Sequence, residues 1–183
     1  MALLRKAKGL APKVASIVFF VCFGVGSAAS AYVARLLASY RLVMMGGAVL
    51  TLLFLSFEFY GPSIPFNTAL IIFGLAGVSS GFQILYFTVA RDNSPPQAHS
   101  TSIGFINFCV MVSGLFFPTF LGWILDSVWD GRMTVDGVPE YTIAHYKTAF
   151  SVVCVALITS AILMLWVRET YPQKGKRPAK KAR

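Results

Sequence analysis

The sequence predicts an all-α integral membrane protein built from five transmembrane helices. Its composition points to this class, because 56% of the residues are hydrophobic and only 13% are charged, whereas soluble domains are about 25% charged. The apolar residues also lie in long unbroken runs and do not alternate with polar ones. Since lipid cannot hydrogen-bond to exposed backbone groups, such runs predict helices and argue against a membrane barrel.

The first predicted span covers residues 14–37, after a basic stretch at residues 1–13. A helix needs roughly 20 apolar residues to cross the hydrocarbon core of a bilayer, and this run is long enough. The basic start, the apolar stretch and the small residues near Ser30 are also typical of a cleaved signal peptide. The apolar run continues past Ser30 to Leu37, which favours a retained span over cleavage.

Four further apolar runs complete the predicted bundle at residues 42–57, 68–90, 101–125 and 148–167. Between the third and fourth spans, residues 91–96 combine two charges, an asparagine and two prolines, which predicts a connector in water because proline interrupts helices. Residues 14–168 therefore form the predicted transmembrane domain, and residues 169–183 a basic tail.

The distribution of charge predicts the orientation of the spans. Connectors 35–41 and 91–100, together with the tail, hold most of the basic residues, whereas connectors 58–67 and 126–147 hold two basic residues against five acidic ones. By the positive-inside rule, the first set and the C-terminus lie in the cytoplasm, most simply at a plasma (inner) membrane. Residues 1–13 then become an extracytoplasmic loop, although four cations there disagree with the rule.

The net charge of +9 does not indicate nucleic-acid binding. Its main concentration, KGKRPAKKAR at residues 174–183, directly follows a predicted span. A basic segment in this position is expected from topology and can contact anionic lipid headgroups. The predicted partner is therefore the lipid bilayer, with no nucleic acid.

Two long stretches resemble a known family. FGVGSAASAYVARLLASYRLVMMGG at residues 23–47 and LAGVSSGFQILYFTVARDNSPPQAHSTSIGFINFCVMVSGLFFPTFLGWILD at residues 75–126 are similar to the C-terminal half of a major facilitator superfamily transporter. The resemblance covers nearly all of residues 14–172 and corresponds to about the eighth to twelfth of the family's twelve helices. It implies alternating-access transport of a small solute, and it suggests a fragment that lacks the N-terminal half of the transporter. A non-transporting membrane scaffold or truncated remnant is the alternative.

Polar residues inside the predicted spans are the candidates for substrate binding. They are Gln83 and Tyr86 on the third span and Asn107 on the fourth. Gln83 and Tyr86 are three residues apart and so lie on one helical face. Asn107 should lie at a similar depth, because consecutive helices run antiparallel. These side chains would hydrogen-bond to substrate, or alternatively to one another between helices.

Other features of the spans indicate packing rather than chemistry. Gly77 and Gly81 form a G-x-x-x-G pair that lets helices approach closely, and Pro118 is expected to bend the fourth span. No cysteine or histidine spacing indicates a metal site, and no residues form a catalytic constellation. The sequence therefore predicts no enzyme, no metal and no cofactor.

Overall fold

The computed structural model of the chain describes residues 2–62, 64–133, 137 and 139–172, with side chains described from residue 13 onward. The described residues form six α-helices: α1 (Ala2–Leu37), α2 (Tyr40–Tyr60), α3 (Phe66–Gly81), α4 (Leu85–Asp92), α5 (His99–Ser127) and α6 (Ile143–Leu163). Two 3₁₀ turns, Phe82–Ile84 and Pro96–Ala98, precede α4 and α5.

In the part of the chain that the structure describes, five helical segments are long and apolar enough to cross a membrane. The third of them runs from Phe66 to Asp92 and includes α3, the 3₁₀ turn and α4, so six α-helices make five spans. Among the described residues the only β-type pairing is one isolated bridge between Met133 and Pro139. The predicted all-α fold with five spans is therefore confirmed.

The bounds of the first and the last helix differ most from those expected from the sequence. Residues 2–13, expected as a loop, are helical, since charge alone does not interrupt a helix and this stretch is rich in Ala, Leu, Lys and Arg, which are strong helix formers. The last span, expected at residues 148–167, begins at Ile143 and ends at Leu163. Its early start is explained by a capping box in which the Thr142 amide donates to Nδ1 of His145 at 3.3 Å.

Helix α1 packs mainly against α3, and glycines permit the close approach. A Cβ atom at Gly77 or Gly81 would collide with a backbone carbonyl oxygen of α1, and one at Gly26 with a carbonyl oxygen of α3. The hydroxyl of Ser27 donates to the carbonyl oxygen of Gly81 at 3.2 Å. Any larger residue at these glycines would push the two backbones apart.

The buried core lies around α2, which contacts α1, α3, α4 and α6. Its fully buried members are Ala34, Val43, Met44, Ala48, Leu85, Val89 and Met164. Helix α5 differs, because none of its residues is buried, although it contacts both α4 and α6. One span of the bundle is thus held at the periphery.

The segment after α6 folds back onto the start of α2. Ser39 caps α2 by accepting a hydrogen bond from the Leu42 amide at 3.0 Å. The carboxylate of Glu169 accepts from the Ser39 hydroxyl and from the Tyr40 and Arg41 amides. We call this end of the bundle the Glu169 end, and the opposite end, where α2 stops at Tyr60, the Glu58 end.

The predicted tail of residues 169–183 is therefore docked in its first part. The rings of Tyr171 and Tyr40 meet edge to face with centroids 5.0 Å apart, so residues up to Tyr171 belong to the packed bundle. The basic segment at residues 174–183, with its predicted contact to lipid headgroups, lies outside the described residues.

Candidate functional site

A cavity of about 530 Å³ lies between α2, α4 and α5. Its wall is mostly apolar, with a few polar groups among the carbon atoms. The lining residues are Met44, Gln83, Tyr86, Val89, Ala90, Asn93, Ile106, Cys109, Val110, Ser113 and Val167. We call it the α4–α5 cavity. Small-molecule sites have this size and this mixture of apolar wall and few polar groups.

Two of the predicted binding residues, Gln83 and Tyr86, line this cavity. Gln83 lies in the 3₁₀ turn Phe82–Ile84, and Tyr86 lies in the first turn of α4. Residues three apart lie on the same side of a helix, so the amide and the phenol share one face. Both side chains are half-buried and keep part of their surface accessible.

Helix α5 supplies the opposite wall through one stripe of residues. Ile106, Cys109, Val110 and Ser113 follow the i, i+3, i+4, i+7 spacing that places side chains on one face of a helix. The Ser113 hydroxyl donates to the Cys109 carbonyl at 2.7 Å, which leaves its oxygen lone pairs directed away from the helix backbone. Cys109 carries a free thiol at the cavity.

Asn107 does not line the α4–α5 cavity. It follows Ile106, and one residue turns an α-helix by about 100°, so its side chain leaves from a different face of α5. Asn107 is exposed in this chain. The sequence predicted Gln83 and Asn107 at a similar depth, but within the described residues they do not share a cavity.

Asn93 and Cys109 also line the cavity, although the sequence does not indicate either of them as a binding residue. Asn93 ends α4, and its side-chain amide donates to the Val89 carbonyl at 2.9 Å, which holds it at the Glu169 end of the cavity. A lone cysteine inside an apolar run, as at Cys109, indicates only a small apolar residue. The spacing from Ile106 to Ser113 could have indicated the α5 stripe once Gln83 was known to face α5.

The chemistry of the α4–α5 cavity is that of neutral hydrogen bonding. Its polar groups are amides, hydroxyls and a thiol, and no lysine, arginine, aspartate or glutamate lines it. Among the described residues, no three histidine, cysteine or acidic side chains cluster in a way that could hold a metal ion. Such a wall can orient the polar groups of a small molecule while its apolar surface encloses the rest.

The predicted packing and bending residues lie elsewhere. Gly77 and Gly81 contact α1 and are not part of the cavity wall. Pro118 lies inside α5, which continues as one helix from His99 to Ser127. Proline removes one backbone hydrogen bond from a helix, so Pro118 remains the predicted bending point of α5.

Comparison with known proteins agrees with this architecture. The family model described as Major Facilitator Superfamily matches residues 1–183. No curated protein and no solved structure gives a significant match to the chain. With five apolar spans and a family match along its whole length, the chain belongs to the Major Facilitator Superfamily, whose members are membrane transporters rather than enzymes.

Proposed function

We propose that this chain transports a small solute by alternating access, with the α4–α5 cavity as part of the substrate path. The observation that carries the proposal is the mixed wall of that cavity, where Gln83 and Tyr86 face the α5 stripe across about 530 Å³. A buried amide or hydroxyl without a hydrogen-bond partner costs on the order of a few kcal/mol. Asn93 and Ser113 already donate to backbone carbonyls, but the Gln83 side chain has no hydrogen bond among the described residues, so it favours water or a polar ligand beside it rather than lipid.

Asn107 has a related role in this proposal. It lies on an exposed face of α5, and α5 has no buried residue. We propose that a second helical half, equivalent to the N-terminal half of the family, packs on that face and that Asn107 meets the substrate from there. An amide facing lipid would have no partner, which is the physical reason to expect protein, water or substrate next to Asn107.

A membrane scaffold without a substrate path is the competing function. A scaffold needs well-packed apolar helices and gains nothing from a mixed cavity wall. The family match and the polar groups of the α4–α5 cavity both support transport instead. We further propose a plasma (inner) membrane location with the Glu169 end in the cytoplasm, since the connectors at that end and the C-terminal tail together hold most of the basic residues, whereas the connectors at the Glu58 end hold two basic residues against five acidic ones.

The cavity can be tested with the native thiol of Cys109. Replacing Cys22 and Cys154 by serine leaves one cysteine, and a charged, membrane-impermeant thiol reagent reacts only with thiolate in contact with water. Cys109 should be labelled in proteoliposomes permeable to the reagent, whereas a cysteine introduced at Val155, exposed on α6, should stay unlabelled if it faces lipid. If the reagent labels neither Cys109 nor the cysteine at position 155, a water-filled path is contradicted.

The orientation is tested separately in intact cells. A cysteine introduced at Ser94 should not react with reagent added outside if the Glu169 end is cytoplasmic.

Binding by Gln83 is tested with the variant Gln83→Met. Uptake of labelled sugars, amino acids and organic anions would first identify a transported solute. For that solute, loss of one hydrogen bond should lower uptake by about 10-fold, since about 1.4 kcal/mol corresponds to a factor of ten. The thermal midpoint should change little. Unchanged uptake per folded molecule would remove Gln83 from the binding site.

A further inference from the structure

A second, separate cavity of about 220 Å³ lies at the Glu58 end, enclosed by α1, α2 and α3. It shares no residue with the α4–α5 cavity. Its wall contains one carboxyl group, three phenylalanine rings and small or aliphatic side chains: Ala15, Glu58, Phe59, Phe66, Ala69, Leu70 and Phe73. We call it the Glu58 cavity.

The carboxyl group of Glu58 is incompletely satisfied. Its Oε2 atom is inaccessible to solvent and has no hydrogen-bond partner among the described residues. The ion pairs of the described part of the chain join Arg91 to Asp92 and Arg132 to Asp130, and neither includes Glu58. A carboxylate removed from water without a partner is strongly disfavoured, so this oxygen requires a proton or a cation.

The position of Glu58 on its helix further favours a proton or a cation beside its carboxyl group. Glu58 lies in the last turn of α2, which ends at Tyr60. The C-terminal end of a helix carries partial negative charge, which repels a carboxylate and attracts a cation. The helix and the side chain therefore present negative charge to the same cavity.

The aromatic side chains of the wall are held in place by neighbouring rings. Phe59 stacks on Phe150 of α6, with ring centroids 3.7 Å apart and planes 10° apart. Phe73 packs against Phe19 of α1 at 5.1 Å. The face of an aromatic ring attracts a cation, and this attraction grows when the cation is removed from water.

We propose that the Glu58 cavity binds an ammonium group, with the Glu58 carboxylate as its counter-ion and the phenylalanine rings around it. The small volume suits a short alkylammonium and excludes most drug-sized amines, whose sites occupy about 300 Å³ or more. Since Glu58 is close to the end of a span, the ammonium can belong to a soluble amine or to the ethanolamine headgroup of a lipid. This site is independent of the transport path proposed above.

The test measures thermal unfolding of the purified chain in nanodiscs of phosphatidylcholine. Ethylammonium chloride is compared with sodium chloride at equal ionic strength, and a second set of nanodiscs contains phosphatidylethanolamine and no added amine. Binding to the folded state at several times the dissociation constant should raise the thermal midpoint by about 3 °C. A rise with ethylammonium identifies a soluble amine, and a rise only with phosphatidylethanolamine identifies the lipid headgroup.

Three variants make the test specific. Glu58→Gln should abolish the rise, whereas Glu140→Gln, which removes an exposed carboxylate from the connector at the same end, should keep it. Phe73→Leu keeps the carboxylate and should reduce the rise, which provides a second probe if Glu58→Gln folds poorly. The proposal is overturned if the midpoint of the native chain responds to neither amine source, or if Glu58→Gln responds as strongly as the native chain.

Discussion

A glutamate side chain lies at each end of helix α2, and the two carboxylates differ in their hydrogen bonding. At its start, Glu169 accepts hydrogen bonds from the Ser39 hydroxyl and from four backbone amides, those of Tyr40, Arg41, Thr170 and Tyr171. At its end, Glu58 has a buried carboxylate oxygen without a partner among the described residues. The same chemical group is saturated at one end of the helix and unsatisfied at the other.

The difference follows from the electrostatics of a helix. Amides without intrahelical partners are concentrated at a helix N-terminus and give it partial positive charge, which suits the carboxylate of Glu169. The C-terminus presents carbonyl oxygens and partial negative charge, which opposes the carboxylate of Glu58. A saturated carboxylate of this kind fastens structure together, whereas an unsatisfied one marks a place where a ligand would lower the free energy.

The largest effect on stability should come from removing the hydrogen bonds of Glu169 at the start of α2. Glu169→Ala removes the acceptor that joins the segment after α6 to the start of α2, and hydrogen bonds to a charged group contribute about 1.5–3 kcal/mol. We expect a loss of about 2 kcal/mol, seen as a fall of about 6 °C in the thermal midpoint of the purified chain. Glu169→Gln keeps one oxygen acceptor and should lose less. An unchanged midpoint in Glu169→Ala would show that this contact does not hold the bundle.

Replacing Glu58 at the other end of α2 should instead raise the thermal midpoint. In phosphatidylcholine without amine, Glu58→Met replaces an unpaired carboxyl group by an apolar side chain of similar length that suits the phenylalanine wall. Removing an unsatisfied buried polar atom should stabilise the chain by about 1 kcal/mol, or about 3 °C in midpoint. Glu58→Gln, still polar, should gain less. A loss as large as that of Glu169→Ala would mean that Glu58 is paired as fully as Glu169 and would remove the contrast between the two ends.

The sequence predicted the spans because they depend on local apolar runs, but it did not predict this contrast. The partners of Glu169 lie about 130 positions earlier in the chain, at Ser39 to Arg41. The surrounding composition indicated only a basic tail. One signal was available, since Glu169 is the only acidic residue after the last span. An acidic residue alone in a basic segment is a candidate for such a contact.

The candidate site was also predictable only where it depends on local sequence. Gln83 and Tyr86 are polar residues in an apolar span, and their spacing alone predicts a shared face. The face of α5 that meets them depends on which helix packs beside it. Because α5 is apolar on nearly all sides, its sequence does not mark one face as the inner one. This is why the sequence predicts Asn107 only at the depth of Gln83, whereas Cys109 and Ser113 line the cavity opposite Gln83.

The smallest expected effect is a change of stability with pH. It tests the charge of Glu169 without changing the shape of the side chain. Partial burial alone would raise the pKa of Glu169, but the Ser39 hydroxyl and the backbone amides that donate to the carboxylate outweigh burial, so its pKa is lower than usual. An acid with a lowered folded pKa contributes stability at pH values above its unfolded pKa, about 4.3. That contribution is lost as the pH falls through the folded value.

The difference in thermal midpoint between the native chain and Glu169→Gln should therefore be constant from neutral pH down to about pH 5 and should shrink below it. The total change should be smaller than the loss in Glu169→Ala, because a protonated carboxyl group still accepts hydrogen bonds. Comparison with Glu169→Gln cancels the titration of the other acidic residues, which both proteins share. A difference that stays constant through pH 3 would show that the carboxylate charge adds nothing to the contact, and the electrostatic explanation of the two ends of α2 would then fail.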